Sequence, residues 1–215
     1  WDLTERCLRS IFSFPLPQNT DIVVVDNGST DLTPHALKRF SEKIPFMHTI
    51  KLPKNIGPAG GRDAALKAAR GKTLVFLDND VEIKHARWLD ILIEPLLQHP
   101  RVGAGGAFGV VHTHDETDGW YQKILFPGLT VPVCWLSSYC VEIRRQPLMD
   151  CGGWRPDQYQ LYGMEDVSIV YALREAGRMV TVPGQFVPIN HGMNHRDGHY
   201  DYDIDDSGRK NTENF

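Results

Sequence analysis

The sequence predicts an α/β domain with a mostly parallel sheet flanked by helices. Three observations lead there. Two short apolar runs, Ile22-Val23-Val24-Val25 and Leu74-Val75-Phe76-Leu77, are continuous rather than alternating, as strands buried on both faces of a parallel sheet are. Each run ends in an acid-bearing polar loop, Asp26-Asn27-Gly28-Ser29-Thr30-Asp31 after the first and Asp78-Asn79-Asp80 after the second. Segments with helical periodicity separate the strands, and such alternation implies right-handed crossovers between parallel neighbours.

In chain order, Leu3, Leu8, Ile11 and Phe12 recur at helical spacing, which predicts a helix over 2–13. The strand 22–25 and its loop precede a helix capped by Thr33, with Pro34 at its first position. A strand over 46–52 and a loop over 53–57 lead to a helix from about 60 to 70, which Gly71 stops. The strand 72–77, the Asp-Asn-Asp turn and an amphipathic helix over 88–98 follow. Beyond residue 100 the pattern is less regular. Strands are predicted over 102–111 and 131–143, with a His/Asp/Gly-rich loop over 112–119 between them. A helix over 165–176 ends at Gly177, and short strands follow at 179–182 and 186–190. The segment 193–215 is polar and acidic with little core material, so it reads as a tail or lid on a domain spanning 1–192.

Composition narrows the function classes. At 215 residues with 41% hydrophobic content, the chain can bury a sizeable core. A net charge of −4, with no dense Lys/Arg stripe, argues against non-specific nucleic-acid binding. No apolar run approaches the roughly 20 residues of a membrane span, and no signal peptide is visible. Cys7, Cys134, Cys140 and Cys151 lack C-x-x-C spacing and read as reduced thiols. The expected location is cytoplasmic, with peripheral contact with a membrane compatible.

The acid loops carry the chemistry. In extended chain, Asp78 and Asp80 at i and i+2 project to the same side. Two hard oxygen donors at a strand's C-terminal end suit Mg²⁺ or Mn²⁺, which in turn bind phosphate oxygens. Ligands of open parallel sheets sit at that end. An Asp after a strand is commonly a plain turn residue, but here other acidic loops share its position in the pattern. Asp26 can accept from a base N–H or a ribose hydroxyl, while Asp31 suits a helix cap. In Asn55-Ile56-Gly57-Pro58-Ala59-Gly60-Gly61-Arg62-Asp63, glycines beside a helix start allow close backbone approach to a ligand, and Arg62 can pair with phosphate. No Gly-Lys-Ser/Thr follows, so this is not a P-loop, and a tight strand-to-helix turn is the plainer alternative. The glycine-rich segment 103–109 spaces its glycines wrongly for a dinucleotide fingerprint and reads as a strand packed closely against something. Glu165-Asp166 open a helix, where acids stabilise the macrodipole. The functional alternative makes Asp166 a general base that the dipole keeps ionised. His191 follows an apolar strand and is a candidate third metal ligand, whose imidazole favours Mn²⁺ over Mg²⁺. His112, His114, His195 and His199 read as solvated. The stretch from Asp203 to Gly208 begins like an EF-hand, but Asn214 stands where Glu is required.

Taken in order, these pieces resemble the family 2 glycosyltransferases of the GT-A fold. The matching stretches are Val23-Val24-Val25-Asp26-Asn27-Gly28-Ser29-Thr30-Asp31, Asn55-x-Gly57-x-Ala59-Gly60-Gly61-Arg62, Phe76-Leu77-Asp78-Asn79-Asp80, Gly152-Gly153-Trp154 leading to Tyr162-Gly163-Met164-Glu165-Asp166, and His191. The resemblance implies that Asp26 contacts the nucleotide base and Arg62 the nucleotide or its phosphates. Asp78 then touches the ribose or metal region, Asp80 ligates the metal, and His191 contacts metal or diphosphate. Asp166 is the implied catalytic base, with Trp154, Tyr162 and Glu165 on the acceptor side. The implied reaction is inverting hexosyl transfer from a nucleotide-diphosphate sugar, a UDP-sugar being favoured, to a glycan, lipid-linked or protein acceptor. The family pattern usually opens with a strand and a Pro-x-Tyr/Phe-Asn-type loop. Here that strand is absent, Asp63 stands where Asn is common, and the chain stops where family members often continue.

Two rivals compete. Val75-Phe76-Leu77-Asp78-Asn79-Asp80-Val81 also fits the core motif of haloacid-dehalogenase-like phosphatases, in which Asp78 is a covalent nucleophile. That motif normally lies on the first strand, whereas two strand–helix units precede it here. The other rival is a non-catalytic GT-A-like module that binds nucleotide sugar or glycan.

Overall fold

The computed structural model describes residues 1–110, 130–158, 165–185 and 187–192. The predicted loop over 112–119, the tail or lid over 193–215 and Tyr162 lie outside the described residues.

The first half alternates helix and strand: α1 (Asp2–Phe12), β1 (Ile22–Asp26), α2 (Thr33–Ser41), β2 (Met47–Lys51), α3 (Gly57–Ala68) and β3 (Thr73–Leu77). Strands β1 and β2 are parallel, with Ile22 opposite Met47 and Asp26 opposite Lys51. Helix α2 is preceded by Leu32, which supplies no side-chain cap; Asp31 Oδ1 instead accepts from the Thr33 N–H at 2.9 Å. Helix α3 begins at Gly57 rather than near residue 60, because Gly57 takes φ +78° and Pro58 pre-sets the first turn.

The second half comprises β4 (Glu82–Ile83), α4 (Trp88–Gln98), β5 (Val102–Gly106), β6 (Gly109–Val110), β7 (Val131–Pro132), β8 (Trp135–Leu136), β9 (Cys140–Arg144), α5 (Arg145–Asp150), α6 (Glu165–Glu175), β10 (Met179–Val182) and β11 (Ile189–Asn190). The two long strands predicted here are each split into shorter ones. The central sheet has the order β3-β9-β5-β10-β7. It is mixed: β5 and β10 are parallel, while β9 runs against both of its neighbours and β7 against β10. Strands β3, β5 and β10 therefore point the same way.

Among the described residues β1 pairs only with β2, and β3 only with β9. The Ile22 N–H donates to the Phe46 carbonyl and the Leu52 N–H to the Asp26 carbonyl, so alternate residues of β1 face β2. The backbone groups of Val23 and Val25 point away from that ladder. By the same alternation, with Asp78 N–H donating to the Tyr139 carbonyl, those of Thr73, Val75 and Leu77 point away from β9.

Side chains alternate between two cores. Leu74, Phe76, Val141 and Ile143 enter a cluster with Leu66, Trp154, Ile169, Val170 and Leu173. Cys140, with Val75 and Leu77 beside it, joins α1 and α4 residues such as Cys7, Ile11, Trp88 and Leu92. Burying both faces of β3 explains its unbroken apolar run. Leu148 and Leu173 are fully buried, and truncating either to Ala removes about 2–5 kcal/mol. Ser10 Oγ accepts from the Ile83 N–H at 2.9 Å, which ties the chain after the Asp-Asn-Asp turn to α1.

Candidate active site

The Asp78-Asn79-Asp80 turn sits where β3 ends. Asp78 N–H donates to the Tyr139 carbonyl at 2.9 Å, extending the β3–β9 ladder by one residue, and Val81 N–H then closes a turn onto the Asp78 carbonyl at 3.2 Å. Asn79 Nδ2 donates to Thr4 Oγ1 of α1 at 3.1 Å. The two carboxylates thus converge through a turn rather than through the pleat of an extended strand. His191, just past β11, meets them: one ligand atom each from Asp78, Asp80 and His191 lie within 4.8 Å of one another. His191 Nε2 is 3.5 Å from Asp80 Oδ1, and its ring stacks on Tyr139 with centroids 4.1 Å apart and planes at 9°. The stack fixes the imidazole's orientation. Two carboxylate oxygens and an imidazole nitrogen form a donor set that fits a divalent cation. Burial pushes the Asp78 carboxyl above the ordinary Asp range, against the pull of Arg62, and Asp80 adds to the rise.

Arg62, on α3, reaches into the same region but is occupied by protein. Its Nη2 donates to Asp78 Oδ1 at 2.6 Å and to the Ser138 carbonyl at 3.4 Å, and its Nη1 to Glu165 Oε1 at 3.1 Å. The guanidinium carbon lies 5.3 Å from the centre of the Trp154 ring. Trp154 is 1% exposed and packs edge-on against Phe76 at 5.0 Å, so it underlies Arg62 rather than lining open space. Glu165 is likewise buried, turned inward to Arg62.

Asp166 follows in the first turn of α6, with Oδ1 accepting from the Val167 N–H at 2.8 Å. A hollow of only about 10 Å³, room for no more than about one water, lies beside it, lined by Leu136, Ser138 and Trp154 among others. The helix dipole predicts a readily ionised Asp166. Burial instead pushes its pKa up, with Glu165 contributing, and outweighs the Val167 N–H and the nearby Trp135 and Arg62.

Asp26 is 4% exposed at the end of β1. Its Oδ1 accepts from the Ser29 N–H at 2.8 Å, and its buried Oδ2 has no hydrogen-bond partner among the described residues. A buried, unsatisfied acceptor suits a donor brought by a ligand. The following loop is latched to the start of α3. Asn27 Nδ2 donates to Asn55 Oδ1 at 3.2 Å and to the Gly57 carbonyl at 2.9 Å, while Ile56 N–H donates to Asn27 Oδ1 at 3.0 Å. Gly28 makes the latch possible: at φ +81°, a Cβ there would lie 2.4 Å from the Lys54 carbonyl carbon.

The structure therefore brings Asp78, Asp80 and His191 together, and links Asp78 through Arg62 to Glu165, the neighbour of Asp166. Sequence reasoning missed Tyr139 and Trp135. Trp135 lies on the two-residue β8 and Tyr139 in the turn before β9, where no spacing marks them. The cysteines stand apart from this chemistry: all four are free, and burial, with Asp80 and Asp78 nearby, pushes the Cys7 thiol up to about 12.

A mixed sheet with an acidic turn ending its strand β3, flanked by helices, defines a GT-A fold. Two solved structures share it. One is a mannosyltransferase from Pyrobaculum calidifontis in complex with GDP-Man and Mn²⁺, with TM-score 0.64 and 24% identity over 87% of this chain and 54% of that one. The other is GalNAc-T7 with UDP, GalNAc and Mn²⁺, with TM-score 0.69 and 16% identity over 86% of this chain and 40% of that one. In sequence, N-acetylgalactosaminyltransferase 4 of Drosophila melanogaster is 35% identical over 204 residues, 80% of this chain and 31% of the relative. The chain spans about a third of that relative's length. Residues 1–152 match the family model for glycosyl transferase family 2, and the chain belongs to that family.

Proposed function

We propose that the chain carries the catalytic domain of an inverting hexosyltransferase that takes a nucleotide-diphosphate sugar, a UDP-sugar in the first instance. The observation that carries this reading is the convergence of Asp78, Asp80 and His191 beside the rim that Arg62 ties to α6. Family membership supports it and removes the phosphatase reading. Solved relatives hold Mn²⁺ together with GDP-Man or UDP, which supports the choice of donor and metal. In this reading residues 1–192 form the domain, its first strand missing and 193–215 an appended tail or lid. The open edges of β1 and β3 support the missing strand.

Asp26 Oδ2 receives a base N–H. Asp78, Asp80 and His191 would hold a divalent cation, which offsets the charge gathering on the departing diphosphate. Trp154 and Glu165 back the acceptor side from beneath. The Asp166 carboxylate takes the proton of the acceptor hydroxyl. The hydroxyl oxygen then forms a bond to the anomeric carbon as the bond from that carbon to the diphosphate oxygen breaks, which inverts the anomeric configuration. Such general-base help is worth about 10²–10⁴ in rate.

The test is release of nucleoside diphosphate from UDP-, GDP- and dTDP-sugars, and of CMP from CMP-sugars, with Mn²⁺, on the wild type and on Asp166→Asn. Release by the wild type, lost in Asp166→Asn while metal-dependent nucleotide binding survives, is expected. Near-wild-type turnover in Asp166→Asn removes the base assignment. Metal-dependent binding with no release from any donor makes the chain a sugar-nucleotide-binding module.

A further inference from the structure

The reach of Arg62 goes beyond one contact. Its side chain is 11% exposed, and both ends of its planar fork are engaged. Nη2 holds the metal-side carboxylate Asp78, and Nη1 holds Glu165, which lies 103 residues further along the chain. The face of the guanidinium rests near Trp154. No other partner of the buried Glu165 carboxylate occurs among the described residues. Each carboxylate therefore depends on the same cation. A planar guanidinium can serve two acceptors at fixed angles, which the point charge of a Lys cannot reproduce.

We propose that Arg62 is a positioning residue that clamps the start of α6 to the β3 rim, so that Asp166 is set relative to Asp78. This rests on the reading of Asp166 as base, and it differs from placing Arg62 on the donor phosphates. The clamp joins the two halves of the site: α3 and β3 on one side, and α6 with Glu165 and Asp166 on the other. Loss of Arg62 leaves Glu165 buried without its counter-charge, and the first turn of α6 loosens around it. Asp78 loses its partner at the same time, but keeps its place through the Asp78 N–H bond to the Tyr139 carbonyl.

The test compares Arg62→Met, Arg62→Lys and Glu165→Gln with Leu37→Ala, a core truncation on α2 in a cluster apart from α6 and α4, which reports generic loss of stability. Hydrogen exchange is read at the amides of residues 169–172, which donate to the carbonyls of the first turn of α6, in the protein alone. Steady-state release of nucleoside diphosphate is read with the donor the wild type uses. In Arg62→Met, exchange at 169–172 is expected to rise by about tenfold or more, with α4 unchanged. The value of kcat falls by about ten- to a hundredfold while the donor KM stays within about threefold. Arg62→Lys recovers part of both effects. Glu165→Gln reproduces the kcat loss and adds little in combination with Arg62→Met. Leu37→Ala leaves the contrast between α6 and α4 as in the wild type.

A raised donor KM with kcat kept, and unchanged protection of α6, would overturn the proposal and put Arg62 on the donor. If the wild type releases nothing from any donor, the glycosyltransferase reading fails by itself. The exchange measurement still decides the clamp, because unchanged protection of residues 169–172 in Arg62→Met overturns it in either case.

Discussion

At the scale of single residues, burial decides the protonation of the important acids. Asp166 opens a helix, yet desolvation lifts its pKa above the ordinary ~3.9 of Asp. A base acts only when ionised, so turnover should rise with pH through that elevated pKa. The acid limb of kcat against pH is expected above pH ~4 in the wild type, and steady-state kinetics that stay flat from pH 8 down to pH 4 would count against it. Glu142, on β9, is a purer case. It is fully buried, neither carboxylate oxygen has a hydrogen-bond partner among the described residues, and burial raises its pKa well above the ordinary value. The folded chain keeps the proton that the unfolded chain releases near pH ~4.3, so stability falls as pH rises from there toward the folded pKa, by up to about 1.4 kcal/mol per pH unit. Glu142→Gln cannot release a proton, and its denaturant midpoint should vary less between pH 5 and 8. The residues that cluster were legible because Asp78 and Asp80 follow an apolar run and His191 follows another. What their pKa values would be was not, since desolvation depends on packing contributed by residues far along the chain. The partners of Arg62 were hidden for the same reason: a helix position beside glycines signals phosphate as readily as a carboxylate 103 residues away.

At the scale of elements, the Gly105–Glu142 pair shows how two strands fit. A Cβ on Gly105 would lie 2.0 Å from Glu142 Oε1, so the carboxyl lies across β5 in space that only glycine leaves open. Gly105→Ala should destabilise by about 1–3 kcal/mol. In a Glu142→Ala background the same change should cost much less, with a coupling of about 0.5–3 kcal/mol measurable in a thermal or urea double-mutant cycle. The glycine-rich 103–109 stretch was rightly readable as a closely packed strand, although the neighbour that presses on it was not. Helix α4 (Trp88–Gln98) was fully legible from its amphipathic period, because local pattern and tertiary burial agree there. The antiparallel course of β9 was not legible. Its partners β3 and β5 lie far away in sequence, and nothing in Cys140-Val141-Glu142-Ile143-Arg144 encodes direction.

At the scale of the whole molecule, segments from both ends of the chain meet at one rim, so the site is also a cross-link that a bound ion tightens. Mn²⁺ at a hundred times its dissociation constant should stabilise the fold by about 2.7 kcal/mol. Chelation should reverse the gain, and Asp80→Ala and His191→Ala should each remove most of it, as differential scanning calorimetry will show. Family and fold were legible because five short motifs keep their order across the chain. The strand order was not, because it depends on pairings that span most of its length. No helix among the described residues is long and apolar enough to cross a membrane. The sides of β1 and β3 that are unpaired among the described residues carry a further consequence. Val23, Val25, Thr73, Val75 and Leu77 offer amide and carbonyl groups on stiff, β-branched or apolar backbone, which is the template on which foreign strands polymerise. Purified by itself, this stretch of protein is therefore expected to self-associate with rising concentration, through new ladders between molecules, and any assay of it must first establish that its particles are single chains.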